Sequence, residues 1–201
     1  MQTTDPKYWE QHYQENNARW DIGMAAPPLA SLLTSANAPT AGKTAVIGCG
    51  QGHDALLFAQ HGFDTVGFDF APSAIAIAQN LSQSMGISTQ FLQRDIFTLL
   101  HEFPSSFDYA IEHTCFCAIR PEQRPDYVNM VNSILKPHGE LIALFFAHNR
   151  PDGPPFGITL TEIHDLFSPL FDTSNIAPAH NSIASRQGEE YLARFKVLKR
   201  S

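Results

Sequence analysis

Residues 46–55, VIGCGQGHDA, set three glycines in five positions directly behind a short apolar run. Glycine adopts backbone conformations that other residues resist, so the segment reads as a tight turn where main chain can approach a ligand closely. On both sides of it, strand and helix patterns alternate. KTAVIG (43–48) reads as a short buried strand, HDALLFAQHG (53–62) as a helix with Gly62 past its end, and FDTVGFD (63–69) as a second strand. APSAIAIAQNLSQSMG (71–86) has Pro72 near a helix start, apolar residues at helical spacing and Gly86 as a stop; TQFLQRD (89–95) follows as a third strand.

The second half continues the order with FDYAIEH (107–113) as a strand, RPDYVNMVNSIL (124–135) as a helix, and a PHG turn into ELIALFFA (140–147). A Pro/Gly-rich loop, RPDGPPFG (150–157), leads to a short helix from about Thr161 to Phe167. FDTSNIAPAH and EEYLARFKVLKR then supply two further strands, the last alternating like an edge or hairpin partner. Alternation of this kind implies parallel strands joined by right-handed crossovers. The expected fold is α/β: a Rossmann-like, doubly wound, mostly parallel seven-stranded sheet with helices on both faces and an antiparallel last strand. A length of 201 residues suits one domain spanning 1–201. Within it, DIGMAAPPLASLLTSA adds an early helix started by Pro27 and Pro28, with Leu29, Leu32 and Leu33 on one face.

Charge and cysteine usage exclude several function classes. With 13 basic against 20 acidic residues the net charge is −7, and no Lys/Arg stripe forms, so nucleic acid is not an expected partner. The longest apolar run, Leu141 to Ala147, falls far short of the roughly 20 residues that span a bilayer. The opening MQTTDPKYWEQHYQ has no apolar signal segment, and three cysteines do not suggest a disulfide framework. The expectation is a cytoplasmic protein that works on a small molecule, with a monomer favoured and no membrane partner.

The residues around the turn narrow its ligand. A dinucleotide fingerprint needs G-x-G-x-x-G, but Gly48, Gly50 and Gly52 read G-x-G-x-G and His53 stands where the third glycine belongs. A phosphate loop needs Lys-Ser or Lys-Thr after the last glycine, and neither is present. Asp69 ends the second strand, where a carboxylate can accept both hydroxyls of a ribose. Asp95 ends the third and, with Ile96, can meet an adenine edge by one polar and one apolar contact. Each feature alone has a plainer reading: a glycine turn can be only a turn, and an aspartate after a strand is often a helix cap. Together at successive strand ends they describe an adenosine without a pyrophosphate, and S-adenosylmethionine fits.

At these residues the sequence resembles class I methyltransferases, and among them the thiopurine methyltransferase superfamily, especially its halide/thiol methyltransferase branch. VIGCGQGHDALLFAQHGFDTVGFDFAPSAI is similar to the family's Gly-Cys-Gly-x-Gly-His-Asp segment. FDYAIEHTCFCAIRPEQRPDYVNMVNSILKPHGELIALFF is similar to its Phe-Phe-Cys-Ala and Leu-Lys-Pro-x-Gly-Glu-Leu segment, while GPPF and SRQGEEYLARF resemble later landmarks. The resemblance implies cofactor contacts at Trp9, Tyr13, Trp20, Gly48, Gly50, Asp69, Asp95, Ile96 and His113, with residues 1–35 as an extension that covers the cofactor. The branch commonly has Trp and Tyr where Tyr13 and His113 stand, and Thr-Pro-Trp where this chain has ARW.

The activity so implied is methyl transfer from S-adenosylmethionine, by in-line displacement, to a small soft nucleophile such as a thiol, thiocyanate or halide. Aromatic thiols such as thiopurines, metalloid oxyanions, and a cofactor-binding module without turnover are the alternatives. An acceptor that is already an anion needs no dedicated base. A thiol with a pKa of about 8.5 gains from a nearby His or Arg that favours its anion, and His113 is the first candidate for that catalytic role. Phe156 and Arg186 are candidates for lining the acceptor site. HTCFC (113–117) offers possible metal ligands but lacks the second pair that a zinc site normally draws on, so no metal is expected.

Overall fold

A computed structural model describes residues 5–199 of the chain. One sheet runs through it, built from β1 (Lys43–Ile47), β2 (Asp64–Asp69), β3 (Gln90–Gln93), β4 (Phe107–His113), β5 (Leu135–Phe146), β6 (Phe171–Asp172), β7 (Ile176–Pro178) and β8 (Glu190–Val197). The strand order is β3-β2-β1-β4-β5-β8-β6, and β7 also pairs with β8. Strands β1 to β5 run parallel; β8 runs antiparallel to β5, β6 and β7. The order reverses between β1 and β4, which opens a crevice at their carboxyl ends, where open α/β sheets bind ligands.

Period-two alternation produces two cores. Ala45 and Ile47 of β1 and Leu141, Ala143 and Phe145 of β5 pack on one side, with α5 (Leu99–Glu102), α6 (Arg124–Ile134) and α7 (Leu160–Phe167). Val46, Ile111, Ile142 and Leu144 pack on the other, with α2 (Pro27–Leu33), α3 (His53–Gln60) and α4 (Pro72–Met85). Helix limits follow local chemistry. α4 starts with Pro72 in its first turn and stops at Gly86, whose φ is +66°. α7 begins at Leu160, one residue before the expected Thr161, because Thr159 and Glu162 form a capping box.

The expected doubly wound, mostly parallel sheet with an antiparallel last strand is present, with eight strands rather than seven. Residues 171–178 divide into β6 and β7 because Asp172 turns the chain: its Oδ1 accepts the Ser174 amide at 3.0 Å, and Thr173 Oγ1 sits 2.8 Å from His164 Nδ1. β5 also begins earlier than Glu140. Leu135 already pairs with Phe107, and the PHG turn survives inside the strand as an irregularity in which His138 adopts a φ of +67°. No helix among the described residues is long and apolar enough to cross a membrane.

The first helix, α1 (Pro6–Gln14), lies outside this two-core plan and covers the crevice. Of the extension expected over residues 1–35, the first four lie outside the described residues. Asp5 caps α1 by accepting the Lys7 amide, and Pro6 occupies its first turn. Glu10 fastens it to the start of α4, accepting the Ser73 amide at 3.0 Å and the Ser73 hydroxyl at 2.6 Å. Tyr13, Ala71 and Ala74 form a small third core beneath it, against which Trp9 and Trp20 pack.

Candidate active site

The glycine turn follows β1 directly. Gly48 has a φ of +59°, and a Cβ there would stand 2.7 Å from Cys115 Sγ, so the position admits no side chain. A Cβ on Gly50, with φ +52°, would meet the Tyr13 hydroxyl at 3.0 Å. Asp69 ends β2 and locks the turn: its Oδ2 accepts the Gly50 amide and its Oδ1 the Ala71 amide, both at 2.9 Å. Burial pushes its pKa up, against the pull of those amides. Each oxygen keeps a further lone pair for a ligand hydroxyl. Asp95 is exposed after β3 and caps the turn of 3-10 helix that follows, accepting the Phe97 amide at 3.0 Å.

The cover presents aromatic rings to the same crevice. Trp20 meets Trp9, His12 and Tyr13 edge-on, with centroids 5.0, 5.4 and 5.6 Å apart, and its Nε1 donates to the Tyr13 hydroxyl at 3.1 Å. Three adjoining cavities result, and Trp20 and Thr114 line all of them. The first, about 140 Å³, brings Trp9, Tyr13, Trp20, Gly48, Asp69, Asp95 and Ile96 together. The second, about 50 Å³, adds Gly50, His53, Asp54 and His113. The third, about 550 Å³, is bounded by His12, Arg19, Cys117, Phe146, Pro154, Pro155 and Arg186 among others. A larger cavity of about 1220 Å³ lies at the amino ends of the parallel strands, around Asp108, Tyr109 and Glu140, and contains none of these residues.

His113 ends β4 inside a chain of polar contacts. Its Nδ1 lies 2.8 Å from Asp54 Oδ2 and its Nε2 lies 2.8 Å from Arg186 Nη1. Arg186 also donates to the Trp20 carbonyl at 2.6 Å and stands 3.4 Å from Glu190 Oε1. Burial disfavours the imidazolium and Asp54 favours it, the balance lying above the ordinary histidine value. A guanidinium N–H at 2.8 Å from Nε2 nevertheless requires a lone pair on that nitrogen, so the geometry describes a neutral ring with its proton on Nδ1, facing Asp54. Asp54 is held ionised: burial opposes its charge, but His113 and the Ala26 amide outweigh burial and lower its pKa. Both ring nitrogens of His113 are thus engaged, and the ring borders the second cavity rather than the third.

Thr114 follows with a φ of +62°, an uncommon conformation for a β-branched residue, at the junction of the three cavities. Nothing local in the sequence marks it. The neighbouring thiols are inert. Burial pushes Cys49 and Cys115 well above the usual thiol range and Cys117 up to about 12, so all three stay protonated. The Cys117 thiol donates to the Thr114 carbonyl, and among the described residues no three His, Cys, Asp or Glu side chains group as metal ligands. Phe156 is absent from the third cavity's wall. Its ring packs over Gly153 and its carbonyl accepts from Arg124 at 3.2 Å, leaving the preceding Pro154 and Pro155 to line the space.

Comparison with known proteins places this geometry. The family model for thiopurine S-methyltransferase matches residues 4–196. The chain belongs to the thiopurine methyltransferase family. This family member is 33% identical to thiocyanate methyltransferase 1 of Brassica oleracea, over 98% of this chain and 88% of that one. It is 31% identical to probable thiol methyltransferase 2 of Arabidopsis thaliana, over 94% and 84% respectively. Its fold matches a 1,6-didemethyltoxoflavin N1-methyltransferase of Burkholderia thailandensis, solved with S-adenosylhomocysteine, at a TM-score of 0.77 and 18% identity over 97% and 87% of the two chains.

The protein is thus a methyltransferase with S-adenosylmethionine as its cofactor, and its crevice suits that group. The turn at Gly48 and Gly50 leaves main chain uncovered where a Cβ would fill the space, a carboxylate stands at the end of the neighbouring strand, and electron-rich rings roof a site that must take a sulfonium cation.

Proposed function

We propose that this methyltransferase transfers a methyl group to a small soft nucleophile that is anionic or readily becomes so: a thiol, thiocyanate or halide. The third cavity supports this reading best. No aspartate or glutamate lines it, while Arg19 and Arg186 do, in a chain whose net charge is −7. Such a wall favours a negative acceptor and repels none. The names of the relatives in Brassica and Arabidopsis point to the same acceptor chemistry.

In this reading Asp69 holds the ribose, and Asp95 and Ile96 meet the adenine. Gly48 and Gly50 flank the methionine portion, and Trp9, Tyr13 and Trp20 close over the top. His113 borders the methionine side and positions Arg186, whose guanidinium faces the acceptor. The cofactor supplies an electrophilic methyl on a positive sulfur; the protein supplies alignment and exclusion of water. An acceptor already charged needs no proton removed.

A panel of acceptors with methyl-labelled S-adenosylmethionine tests this. Turnover of iodide, thiocyanate or a small alkyl thiol is the expected result. Turnover restricted to aromatic thiols or metalloid oxyanions, or tight cofactor binding without turnover of any acceptor, overturns it.

A further inference from the structure

Several titratable groups near the crevice are already committed. Glu112 spends its two oxygens on the Phe116 amide and the Tyr127 hydroxyl, and Arg124 gives Nη2 to the carbonyls of Phe156 and Gly157. His113 has both nitrogens engaged. His12 differs: its ring borders the third cavity, and its buried Nδ1 makes no hydrogen bond within the described residues. We propose that His12 takes the proton from a neutral thiol acceptor, an inference that rests on the acceptor reading above.

The ring is fixed in place. Trp20 and Tyr8 meet it edge-on, with centroids 5.4 and 4.9 Å away. Nδ1 is closed off from solvent and makes no hydrogen bond within the described residues; with the ring proton on Nδ1, Nε2 carries the lone pair that a base needs. The titratable groups that share the cavity are Tyr8 on the same helix, Arg19 on the next loop, Cys117 beside β4 and Arg186 from the carboxyl-terminal loop. None of them is a carboxylate, and Cys117 stays a thiol up to about pH 12. Among the described residues on that wall, His12 is therefore the side chain whose ring nitrogen offers a lone pair for a proton. The acceptor's S–H bond breaks, its electron pair stays on sulfur beside the two guanidinium groups, and the proton forms an N–H bond at Nε2. The imidazolium then releases that proton to water, and no other reactant is needed.

The consequence is a split between acceptor classes. A thiol of pKa about 8.5 is about 3% ionised at pH 7, so an enzyme lacking the base works on roughly one thirtieth of its acceptor. Thiocyanate is fully charged and gains nothing from a base. For His12→Phe, which keeps a ring in the aromatic stack, the ratio of thiol to thiocyanate kcat/KM should fall about 30-fold at pH 7. The deficit should shrink about tenfold per pH unit and vanish above the thiol's own pKa. His12→Gln should give the same ratio without the ring.

A second measurement does not involve turnover. Mixing a small thiol with the wild-type protein at pH 7 in the presence of S-adenosylhomocysteine should raise the ultraviolet absorbance of thiolate. His12→Phe should not show the rise. The protein's own cysteines stay protonated and silent. A ratio that does not move with either variant, an equal loss for both acceptors, or thiolate absorbance that persists in the variants overturns the assignment. If wild-type protein methylates none of iodide, thiocyanate and the small thiol, the proposed function itself falls; if it methylates iodide or thiocyanate but no thiol, or methylates thiol and thiocyanate with the ratio unmoved, only the role of His12 falls.

Discussion

Replacing Arg186 by leucine removes a side chain that joins the cover, the end of β4 and the start of β8. Arg186 is 8% exposed, and its guanidinium serves the Trp20 carbonyl at 2.6 Å, His113 Nε2 at 2.8 Å and Glu190 Oε1 at 3.4 Å. Leucine leaves all three acceptors without their donor. Glu190, 3% exposed, then loses its cation, while the lone-pair side of the His113 ring stands 3.9 Å away. Breaking a buried ion pair by removing one partner costs about 3–5 kcal/mol, most of it the penalty of the charge left behind. For a chain of this length that lowers Tm by roughly 10 °C, at about 2–4 °C per kcal/mol.

The penalty identifies its own cause. Adding Glu190→Gln to Arg186→Leu removes the stranded charge, so the double variant should recover about 1–3 kcal/mol relative to the sum of the single losses. Urea denaturation of the four proteins at pH 7 measures the cycle. Calorimetry on the same samples should show S-adenosylmethionine affinity weaker by about tenfold or more in Arg186→Leu, because Trp20 loses the anchor of its carbonyl. A loss under about 1 kcal/mol for Arg186→Leu, or strict additivity in the cycle, would refute the account of Arg186 as a buried latch.

Three further outcomes follow from single positions. Trp20→Ala removes three edge-on ring contacts, each worth about 0.5–1.5 kcal/mol, and should weaken S-adenosylmethionine binding roughly ten- to a hundredfold by calorimetry; an unchanged Kd would sink the role of the cover. Burial raises Glu112 from 4.5 to about 7, so the folded state holds a proton that the unfolded state has released. Stability should therefore fall by about 3 kcal/mol as pH rises from about 4.5 to 7, and Glu112→Gln should abolish that part of the slope in urea titrations at several pH values. Parallel slopes for the two proteins would contradict it. Gly48→Ala combines a left-handed φ with a Cβ 2.7 Å from Cys115 Sγ, whereas Gly86→Ala carries only its φ, with no atom within 4 Å. Denaturation should show Gly86→Ala losing about 1 kcal/mol and Gly48→Ala clearly more, with cofactor binding lost only in the latter; equal losses would show that the close approach costs nothing.

What the sequence discloses divides along the range of the interactions. β1, β2, β4, α3, α4 and α6 are readable because each is set by its own apolar spacing and by residues at its own ends, such as Pro72 and Gly86. The split of residues 171–178 is hidden because Asp172, Thr173 and β8 decide it together. In the site, the glycine turn, Asp69 and Asp95 are features of single strand ends and announce themselves locally. The partners of His113 do not: Asp54 is 59 positions away and Arg186 is 73. A histidine after a strand suggests a base until its two occupied nitrogens are seen. Phe156 misleads for a related reason, since an aromatic beside two prolines suggests a wall, but Arg124 holds its carbonyl and the prolines line the cavity instead.

The same separation bears on how the two ends of the chain cooperate. The Trp20 carbonyl and the Arg186 guanidinium lie 166 positions apart and are joined by one hydrogen bond. Trp20 lines all three cavities, and Arg186 lines the one assigned to the acceptor. On the proposed assignment of these cavities, Arg186→Leu should weaken S-adenosylmethionine binding and raise the acceptor KM together, and an acceptor KM unmoved by the variant would refute the link. In the proposed reading, a cofactor packed against Trp20 would steady the carbonyl that Arg186 grasps, and with it the guanidinium on the acceptor side. Such a link would run through one buried guanidinium bonded to Trp20 of the cover and to His113 at the end of β4.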